Sequence, residues 1–431
     1  MRCLARAIAV ASATALVLVS TVDVRAEEIK IGVLFDYTGK LAPTSSVAAA
    51  GARIAIDMVN ERGGVEGRQV KAIYADAQSK PDVALKEAER LFGEQKVVLL
   101  TGVYASSQCV PLARKLDAEK RFFWASVCVS SAVFKDRNLK YVFRAQAHSD
   151  SFGLVAPDFL AANAKAKLGK APEALRIAII HEDGPYGRGV ASGNVAGAQK
   201  HRMQVVLKQG YPRATTDLSS LIEDLKEATP DIVLHTGYFG DVSLFLDQAG
   251  KAGLGVKAIV GQGGGYNLID KLRAKLGPAA DHIINVAPVA AQLLDPNALA
   301  AGLGDLTVEM ARRYKAEKKT DKVPSYVSIG FNQTWTLLTD VLPRAIKTYG
   351  GLDAESLRKA AVATRIPPSG TIQGYGVEFY PPGHPMAGQN KHALPVVMQY
   401  VGDETRVIWP PDLGTAAPVL PLPGSSPYAA M

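Results

Sequence analysis

The chain has 431 residues, with 49 Lys and Arg against 41 Asp and Glu, and three cysteines. A net charge of +8 is small for this length, and no polybasic or aromatic-basic run occurs, which argues against a nucleic-acid partner. Three cysteines are too few for a disulfide-built scaffold, and at about 100–200 residues per domain the length predicts two or three domains.

Residues 1–26 have the pattern of an export signal. Two arginines precede an apolar run over 7–19 that is too short to span a bilayer, and Val24-Arg25-Ala26 fits a signal peptidase site. We therefore expect cleavage after Ala26 and a periplasmic location. That compartment permits a disulfide, but the sequence leaves open whether Cys109 and Cys128 pair.

From residue 29 onward, apolar strand patterns alternate with amphipathic helix patterns. In the first part the predicted strands are 29–35, 69–76, 97–101, 122–125 and 141–144, and the predicted helices are 45–62, 81–94 and 106–119. This βαβα order predicts an α/β fold with a parallel sheet and helices on both of its faces.

The same alternation begins again after residue 148. The predicted helices are 152–167, 187–200, 218–228, 242–252, 306–318 and 327–349, and the predicted strands are 175–181, 204–208, 232–234, 258–260, 283–286 and 396–401. Pro343 is expected to kink the last helix. Residues 411–431 are mostly Pro, Gly, Ala and Ser and are predicted to form a disordered tail. Two similar α/β units suggest two lobes with a ligand cleft at the carboxyl ends of their strands.

Several segments in order resemble one family. They are IGVLFDYTGKLA, GARIAIDMVNERGGVEGR, YADAQSKPDVALKEAERL, GVYASSQCVPLA, IIHEDGPYGRGVA, HTGYFGDVSLFLDQA and TIQGYGVEFYPPGH. Over residues 28–410 the chain resembles the periplasmic binding proteins of branched-chain amino-acid ABC transporters, the Leu/Ile/Val-binding type.

That resemblance implies the type I periplasmic-binding-protein fold, in which two Rossmann-like lobes are joined by three crossovers. The crossovers are expected near 144–148, 285–288 and 366–370. The implied lobes are 27–146 with 287–366 for lobe 1, and 147–286 with 367–410 for lobe 2.

The first group of candidate ligand residues follows two strands of lobe 1. Ser106 and Ser107 open a helix, where hydroxyl and N–H groups favour a carboxylate, although simple helix capping is an alternative. By the resemblance, Ser106 matches a ligand-binding serine, and the loop of Val127, Cys128 and Val129 offers main-chain N–H groups. Val129 stands where the family has a threonine, so that hydroxyl contact is lost.

The second group lies in lobe 2. Tyr186 and Tyr238 match cleft tyrosines of the family and, with Tyr104 of lobe 1, are expected to pack on a ring of the ligand. Gly263 stands where amino-acid-binding relatives carry an acid for the ligand's ammonium, and Gln262 is expected to bond a ring substituent. A buried ammonium without an anion is costly, so the ligand is expected to be a carboxylate without an amino group. The alternative is that Asp183 or Asp241 replaces the missing acid.

Other polar residues give weaker indications. His148, His181 and His235 lie near predicted strand ends, but their spacing fits no zinc site, and a structural role is expected. Arg144 is interpreted as a hinge salt bridge, with an anion contact as the alternative. Gly261 to Gly265 lack the glycine and lysine pattern of a nucleotide-binding loop. Neither a metal nor another cofactor is therefore expected from the histidines or from this glycine run.

The resemblance is closest to family members that take up aromatic carboxylates, such as benzoate or cinnamate-type acids. The leading hypothesis is therefore a monomeric periplasmic receptor of an ABC importer that closes on a small aromatic carboxylate of this kind and delivers it to an inner-membrane permease. Binding of branched-chain or other amino acids or amides is one alternative, and a ligand-sensing module is another. An exported hydrolase is disfavoured because no GxSxG motif or paired nucleophile and base is found.

Overall fold

The computed structural model describes residues 27–430. Residues 1–26, where the export signal is predicted, and residue 431 lie outside the described part. Within it, the chain forms two α/β lobes, each built on its own twisted sheet. No described helix is both long enough and apolar enough to cross a membrane.

The sheet of lobe 1 has five parallel strands in the order β2-β1-β3-β4-β5. The strands are β1 (Ile29–Phe35), β2 (Val70–Asp76), β3 (Leu99–Gly102), β4 (Phe123–Ala125) and β5 (Val142–Phe143), and the intervening helices are α1 (Ala42–Glu61), α2 (Pro81–Gly93) and α3 (Ser106–Ala118). Six of the seven residues of β1 are buried. Helices therefore cover both of its faces, as its continuous apolar run predicts.

Lobe 2 holds seven strands in the order β12-β11-β10-β9-β8-β6-β7. The strands are β6 (Arg176–Glu182), β7 (Gln204–Tyr211), β8 (Ile232–Thr236), β9 (Ala258–Gly261), β10 (Ile284–Ala287), β11 (Val396–Val401) and β12 (Glu404–Trp409). The helices are α4 (Ser149–Leu168), α5 (Pro185–Lys200), α6 (Ser219–Ala228), α7 (Phe239–Ala252) and α8 (Ile269–Leu276). All neighbours are parallel except the two pairs that involve β11, which is antiparallel to both β10 and β12.

After β10 the chain returns to lobe 1. There it adds α9 (Leu303–Lys318), α10 (Ser325–Thr336), α11 (Leu342–Tyr349) and α12 (Ala354–Val362). Helices α1 and α10 touch backbone to backbone, because a Cβ added to Gly51 would overlap the Val327 carbonyl and one added to Gly330 would overlap the Ala48 carbonyl. This contact fixes α10 beside the ligand cleft.

Near Pro343, where a kink is predicted, the helix changes type. Helix α10 ends at Thr336, a π-helical turn covers Leu337–Val341, and α11 starts at Leu342. Proline has no N–H and its ring crowds the preceding turn, which a locally widened helix accommodates.

The chain crosses between the lobes three times, but the third crossing differs from the one that the resemblance implies. Residues 367–392 still pack on lobe 1, where Phe379 places its ring on Trp124 and Phe143 with centroids 5.7 and 5.2 Å apart. The passage to lobe 2 therefore falls between Asn390 and β11, rather than at 366–370.

The C-terminal residues also differ from the prediction of a disordered tail. Residues 411–430 lie along lobe 2, where Tyr428 is completely buried and its carbonyl accepts the Val256 N–H at 2.8 Å. Leu422 donates its N–H to Lys257 O, also at 2.8 Å. Composition alone indicated nothing to bury, yet three apolar side chains, Leu420, Leu422 and Tyr428, anchor this segment.

Candidate ligand-binding site

The cleft between the lobes is lined by loops that leave the carboxyl ends of parallel strands. In lobe 1, the chain leaves β3 towards Tyr104 and Ser106, and leaves β4 towards Val129. In lobe 2, β6 leads to Tyr186 and β8 to Tyr238, while β9 leads to Gly263 in the same way. This is the position at which open α/β sheets bind ligands.

These loops enclose one cavity. The volume open to water inside it is about 30 Å³, which is room for one or two water molecules. Its lining residues are Tyr104, Ser106, Val127, Val129, Gln146, Phe152, Tyr186, Tyr238, Gly263, Gly264, Asn267, Pro288, Tyr326 and Ile329. None of these side chains carries a charge at neutral pH, because the group holds no Asp, Glu, Lys, Arg or His.

Seven of the ten candidate residues therefore lie on the cavity, and three do not. Gln262 is buried, but its Nε2 donates to Asn194 Oδ1 at 2.8 Å, so its side chain faces α5 and not the cavity. The structure therefore does not bring Gln262 to the cavity wall, where the expected contact with a ring substituent of the ligand would form. Ser107 lies one residue further along α3, outside the lining, and Cys128 lies behind the loop in a disulfide.

The two cysteines, whose pairing the sequence left open, form a disulfide between Cys109 on α3 and Cys128 on the loop after β4. The bond ties together the two segments that carry Ser106 and Val129. The Ser106 Oγ accepts the Ser130 N–H at 3.2 Å, which leaves its hydroxyl hydrogen free to donate. The N–H groups of Ser106 and Val129 have no acceptor among the described residues. This wall of the cavity therefore offers hydrogen-bond donors.

Four tyrosines form a cluster across the cleft. Tyr104 and Tyr326 come from lobe 1, and Tyr186 and Tyr238 from lobe 2. Their rings meet edge to face, with centroids 5.3 to 5.8 Å apart. Burial raises the pKa of all four phenols above the ordinary value, so each stays neutral and keeps its proton.

The lobes touch each other around this cluster. Tyr326 donates its hydroxyl to Gly264 O at 3.1 Å, and Ser130 Oγ donates to Pro185 O at 2.8 Å. At the mouth of the cleft, Lys322 of lobe 1 pairs with Asp270 of lobe 2 at 2.7 Å. The structure therefore shows the lobes closed.

The position that the resemblance assigns to an acid cannot carry one here. Gly263 has φ 73° and ψ −139°, a conformation that is essentially restricted to glycine. A Cβ at this position would lie 3.1 Å from Phe152 Cε1 and 3.4 Å from the Tyr186 hydroxyl. The next residue, Gly264, also has positive φ, and a Cβ there would overlap the Gly237 carbonyl.

The two acids considered as replacements do not reach the cavity. Asp183 is exposed. Asp241 is buried, but it accepts the Tyr238 N–H at 3.0 Å and the Tyr211 hydroxyl at 2.9 Å, so it caps α7. Desolvation raises the pKa of Asp241 to about 7. A third acid, Glu182, is occupied in the same way by the N–H groups that begin α5.

Gln146 is a site residue that the sequence did not single out. It is buried in the first crossover and lines the cavity. Its Oε1 accepts the Ala147 N–H at 2.9 Å, which fixes the orientation of the amide, and its Nε2 has no partner among the described residues. Nε2 is therefore available as a donor at the cavity wall. No periodic pattern marks an extended crossover, so nothing in the sequence pointed to Gln146.

The histidines have the structural role that was expected. His235 is buried between the hydroxyls of Tyr211 and Tyr266, each at 2.7 Å, and burial lowers its pKa to about 3. Neither His148 nor His181 lines the cavity. In residues 27–430, no three His, Cys, Asp or Glu side chains group closely enough to hold a metal ion.

Arg144 differs from its leading interpretation. No carboxylate lies within 4 Å of its guanidinium in the described chain, so it makes no hinge salt bridge. Its hydrogen bonds go to uncharged oxygens instead.

Comparison with known proteins agrees with this architecture. The sequence model of the periplasmic binding protein family matches residues 28–389. The Leu/Ile/Val-binding protein homolog 7 of Brucella suis biovar 1 is 31% identical over 385 residues, which are 89% of this chain and 92% of the relative.

Solved structures share the fold at lower identity. A leucine-binding protein LivK from Thermotoga maritima superposes with a TM-score of 0.72 at 19% identity, covering 89% of this chain and 99% of the other. An ABC transporter solute-binding protein from R. palustris, in complex with benzoate, gives 0.70 at 18% identity, covering 91% and 97%. The chain is thus a member of the periplasmic binding protein family, of the Leu/Ile/Val-binding type, with the type I fold.

Proposed function

We propose that this protein is the periplasmic receptor of an ABC importer and that its ligand is a small carboxylate without an amino group, of the benzoate or cinnamate type. The family membership supports the transport role. One observation carries the ligand class: the cavity between the lobes is lined by four tyrosines and by neutral hydrogen-bond donors, with no charged side chain.

The donors suit a carboxylate. The Ser106 hydroxyl, the Gln146 amide and the Val129 N–H all lie on the cavity wall. Hydrogen bonds to an ionised acceptor contribute about 1.5–3 kcal/mol each. Three such donors hold a carboxylate without a salt bridge, and the N-terminus of α3 adds a favourable dipole.

The rest of the wall suits an aromatic ring and excludes an ammonium. Tyr104, Tyr186 and Tyr238 present ring edges and faces, and Phe152 fills the space beside Gly263. A zwitterionic ligand would bury its ammonium with no anionic partner, which costs several kcal/mol. The R. palustris relative with benzoate bound shows that this fold holds such an acid in another protein.

Amino-acid binding is the alternative, since the Brucella and Thermotoga proteins carry names that refer to branched-chain amino acids. It requires an acid at the ligand nitrogen, and Glu182 and Asp241, the two buried acids nearest the tyrosines, are both occupied by main-chain N–H groups.

The mechanism is closure and release, with no covalent step. The cavity has room for one or two waters as it stands, so a ligand enters only when the lobes part and the tyrosine rings separate. The lobes then close again over the ligand, with the tyrosine rings packed on the ligand instead of on one another. We propose that the closed monomer docks on an inner-membrane permease, whereas a sensory role would replace the permease by a signalling partner.

A thermal-shift screen of the mature protein tests the ligand class. Benzoate, hydroxybenzoates and cinnamate are compared with leucine, isoleucine and valine at equal concentration. A ligand at about 100 times its Kd adds about 2.7 kcal/mol to the unfolding free energy. We expect stabilisation by an aromatic acid and none by the amino acids. Stabilisation by leucine alone would reject the proposed class.

The isosteric variant Gln146→Glu sharpens this screen. A glutamate keeps the acceptor for the Ala147 N–H and places a negative charge at the cavity wall. The variant should lose the shift with aromatic acids. Retention of the full shift would show that the carboxylate does not lie beside Gln146.

A further inference from the structure

Arg144 lies beneath the loop that carries Val129. It is completely buried. Its Nη1 donates to Cys128 O at 2.9 Å and to Ser130 O at 3.1 Å, and its Nε donates to Gln389 Oε1 at 2.7 Å. Its Nη2 is buried and has no partner in residues 27–430. The guanidinium thus holds the loop carbonyls on either side of Val129.

The charge on Arg144 is not balanced by an ion pair. A buried cation without a partner is expensive, and burial lowers the pKa of Arg144 to about 9, so it remains charged at neutral pH. The titratable groups that face it are Asp150 and His148, and burial lowers the pKa of His148 to about 4, so only Asp150 is charged at neutral pH. The Asp150 carboxylate accepts the Ser131 hydroxyl at 2.7 Å and makes no contact with the guanidinium. The Phe134 ring lies 5.0 Å from the guanidinium carbon.

The geometry of the peptide bond connects Arg144 to the cavity. In a trans peptide, the C=O and the following N–H point in opposite directions. Because Arg144 holds the Cys128 carbonyl, the Val129 N–H points away from Arg144. Val129 lines the cavity, and its N–H has no acceptor among the described residues. A cation at the carbonyl end also strengthens the donor at the other end of the peptide.

We propose that Arg144 is a positioning residue that gives the cleft its preference for anions: it holds the Cys128 and Ser130 carbonyls so that the Val129 N–H faces the ligand carboxylate, and its own charge is balanced only when an anion is bound. This inference rests on the proposed function, since it assigns the source of carboxylate selectivity in the same site.

The test compares a carboxylate with its uncharged analogue. The affinities of benzoate and benzamide are measured by calorimetry at pH 7 for the wild type, Arg144→Lys and Arg144→Met. We expect the ratio of benzoate to benzamide affinity to fall at least tenfold in Arg144→Met and less in Arg144→Lys, which keeps the charge but loses the forked contact. A purely structural role would lower both affinities by the same factor and leave the ratio unchanged. An unchanged ratio would therefore overturn the proposal.

Gln389 provides a second route in case Arg144 variants fail to fold. Gln389→Glu places a carboxylate against Arg144 and neutralises the charge of the guanidinium. Both Gln389→Glu and Gln389→Met remove the Nε2 donor to Gln146 O and Asn390 O, but Gln389→Met adds no charge. The benzoate preference should drop in Gln389→Glu and persist in Gln389→Met. Equal effects of the two substitutions would overturn the role of charge.

Failure of the proposed ligand class gives a different pattern. If wild-type protein binds leucine and not benzoate, the aromatic-acid proposal fails, and the same ratio is taken on leucine and leucinamide. A tenfold loss of leucine preference in Arg144→Met would then still support the role of Arg144, and an unchanged ratio would reject it. If the wild type binds no carboxylate, both proposals fall.

Discussion

The two walls of the cleft are built differently. The lobe 1 wall adds hydrogen-bond donors at Ser106, Val129 and Gln146 to its apolar side chains, and it is braced by the Cys109–Cys128 disulfide. The lobe 2 wall is aromatic and glycine-rich, and its buried acids are turned away to cap helices. We therefore propose a division of roles, in which lobe 1 holds the charged end of the ligand and lobe 2 covers its apolar body.

The largest expected effect is on the lobe 2 wall. In Gly263→Ala, the methyl group meets Phe152 and Tyr186 in a cavity that has little free space. We expect aromatic acids to bind about 100-fold more weakly, or about 2.7 kcal/mol. Backbone strain should also lower the unfolding free energy, by about 1–3 kcal/mol.

Gly277→Ala is the matched control for that variant. Gly277 has φ 59° and ψ −139°, close to the angles of Gly263, but a Cβ there meets no atom within 4 Å. It should show the same loss of stability with unchanged affinity. Equal affinity losses in the two variants would mean that strain and not the cavity wall determines binding.

The next effect concerns the brace of lobe 1. Replacing Cys109 and Cys128 by alanine removes a cross-link between residues 19 apart in sequence. The unfolding free energy should fall by about 3 kcal/mol, as expected for a loop of this size. Denaturant titration measures it, and the wild type treated with reductant should match the double variant. A loss below about 1 kcal/mol would contradict a bracing role.

A smaller effect separates two adjacent serines of α3. Ser106 lies on the cavity and Ser107 does not. Ser106→Ala should weaken binding of the acid by about 1.5–3 kcal/mol, the range for a hydrogen bond to a charged group. Calorimetry should find Ser107→Ala within twofold of the wild type. A larger effect of Ser107→Ala would move the carboxylate to the other side of the helix N-terminus.

The smallest effect, counted per pH unit, is a pH dependence of the stability of lobe 2. The folded pKa of Asp241 is raised to about 7 by desolvation, so the native state holds a proton that the unfolded state releases at lower pH. The contribution of Asp241 to stability should fall as pH rises from about 4 to 7, by at most about 1.4 kcal/mol per pH unit. The difference in stability between wild type and Asp241→Asn should therefore change with pH over this range, whereas the difference between wild type and Asp183→Asn, at an exposed acid, should not. A pH-independent difference between wild type and Asp241→Asn would contradict the shift.

Much of the fold followed from local sequence pattern. Strand β11 is found at the predicted residues, and α5 differs only at its start, because periodicity and Gly or Pro boundaries act locally. Strand β12 was not predicted. It lies at the sheet edge, where its outer residues are exposed and the apolar alternation is weak. The packed tail was missed because Tyr428 finds its place only in the folded lobe.

The site was predictable only in part, because some of its residues reach the cavity only through tertiary packing. Residues that follow strands, such as Tyr104, Ser106 and Tyr186, are placed by the topology of parallel sheets. Tyr326 lies at the start of α10, just before the helix predicted over 327–349, and Gln146 lies in an extended crossover, so both reach the cavity through tertiary packing. The direction of the Gln262 side chain likewise depends on Asn194, 68 residues away.

We propose that the cleft accepts a carboxylate and offers no anionic side chain to an ammonium. L-Phenylalanine and 3-phenylpropanoate differ only in the amino group, so their relative affinity, measured by calorimetry on the mature protein at pH 7, isolates this property. The account predicts that 3-phenylpropanoate binds at least 100-fold more tightly, about 2.7 kcal/mol. Tighter binding of phenylalanine would contradict it.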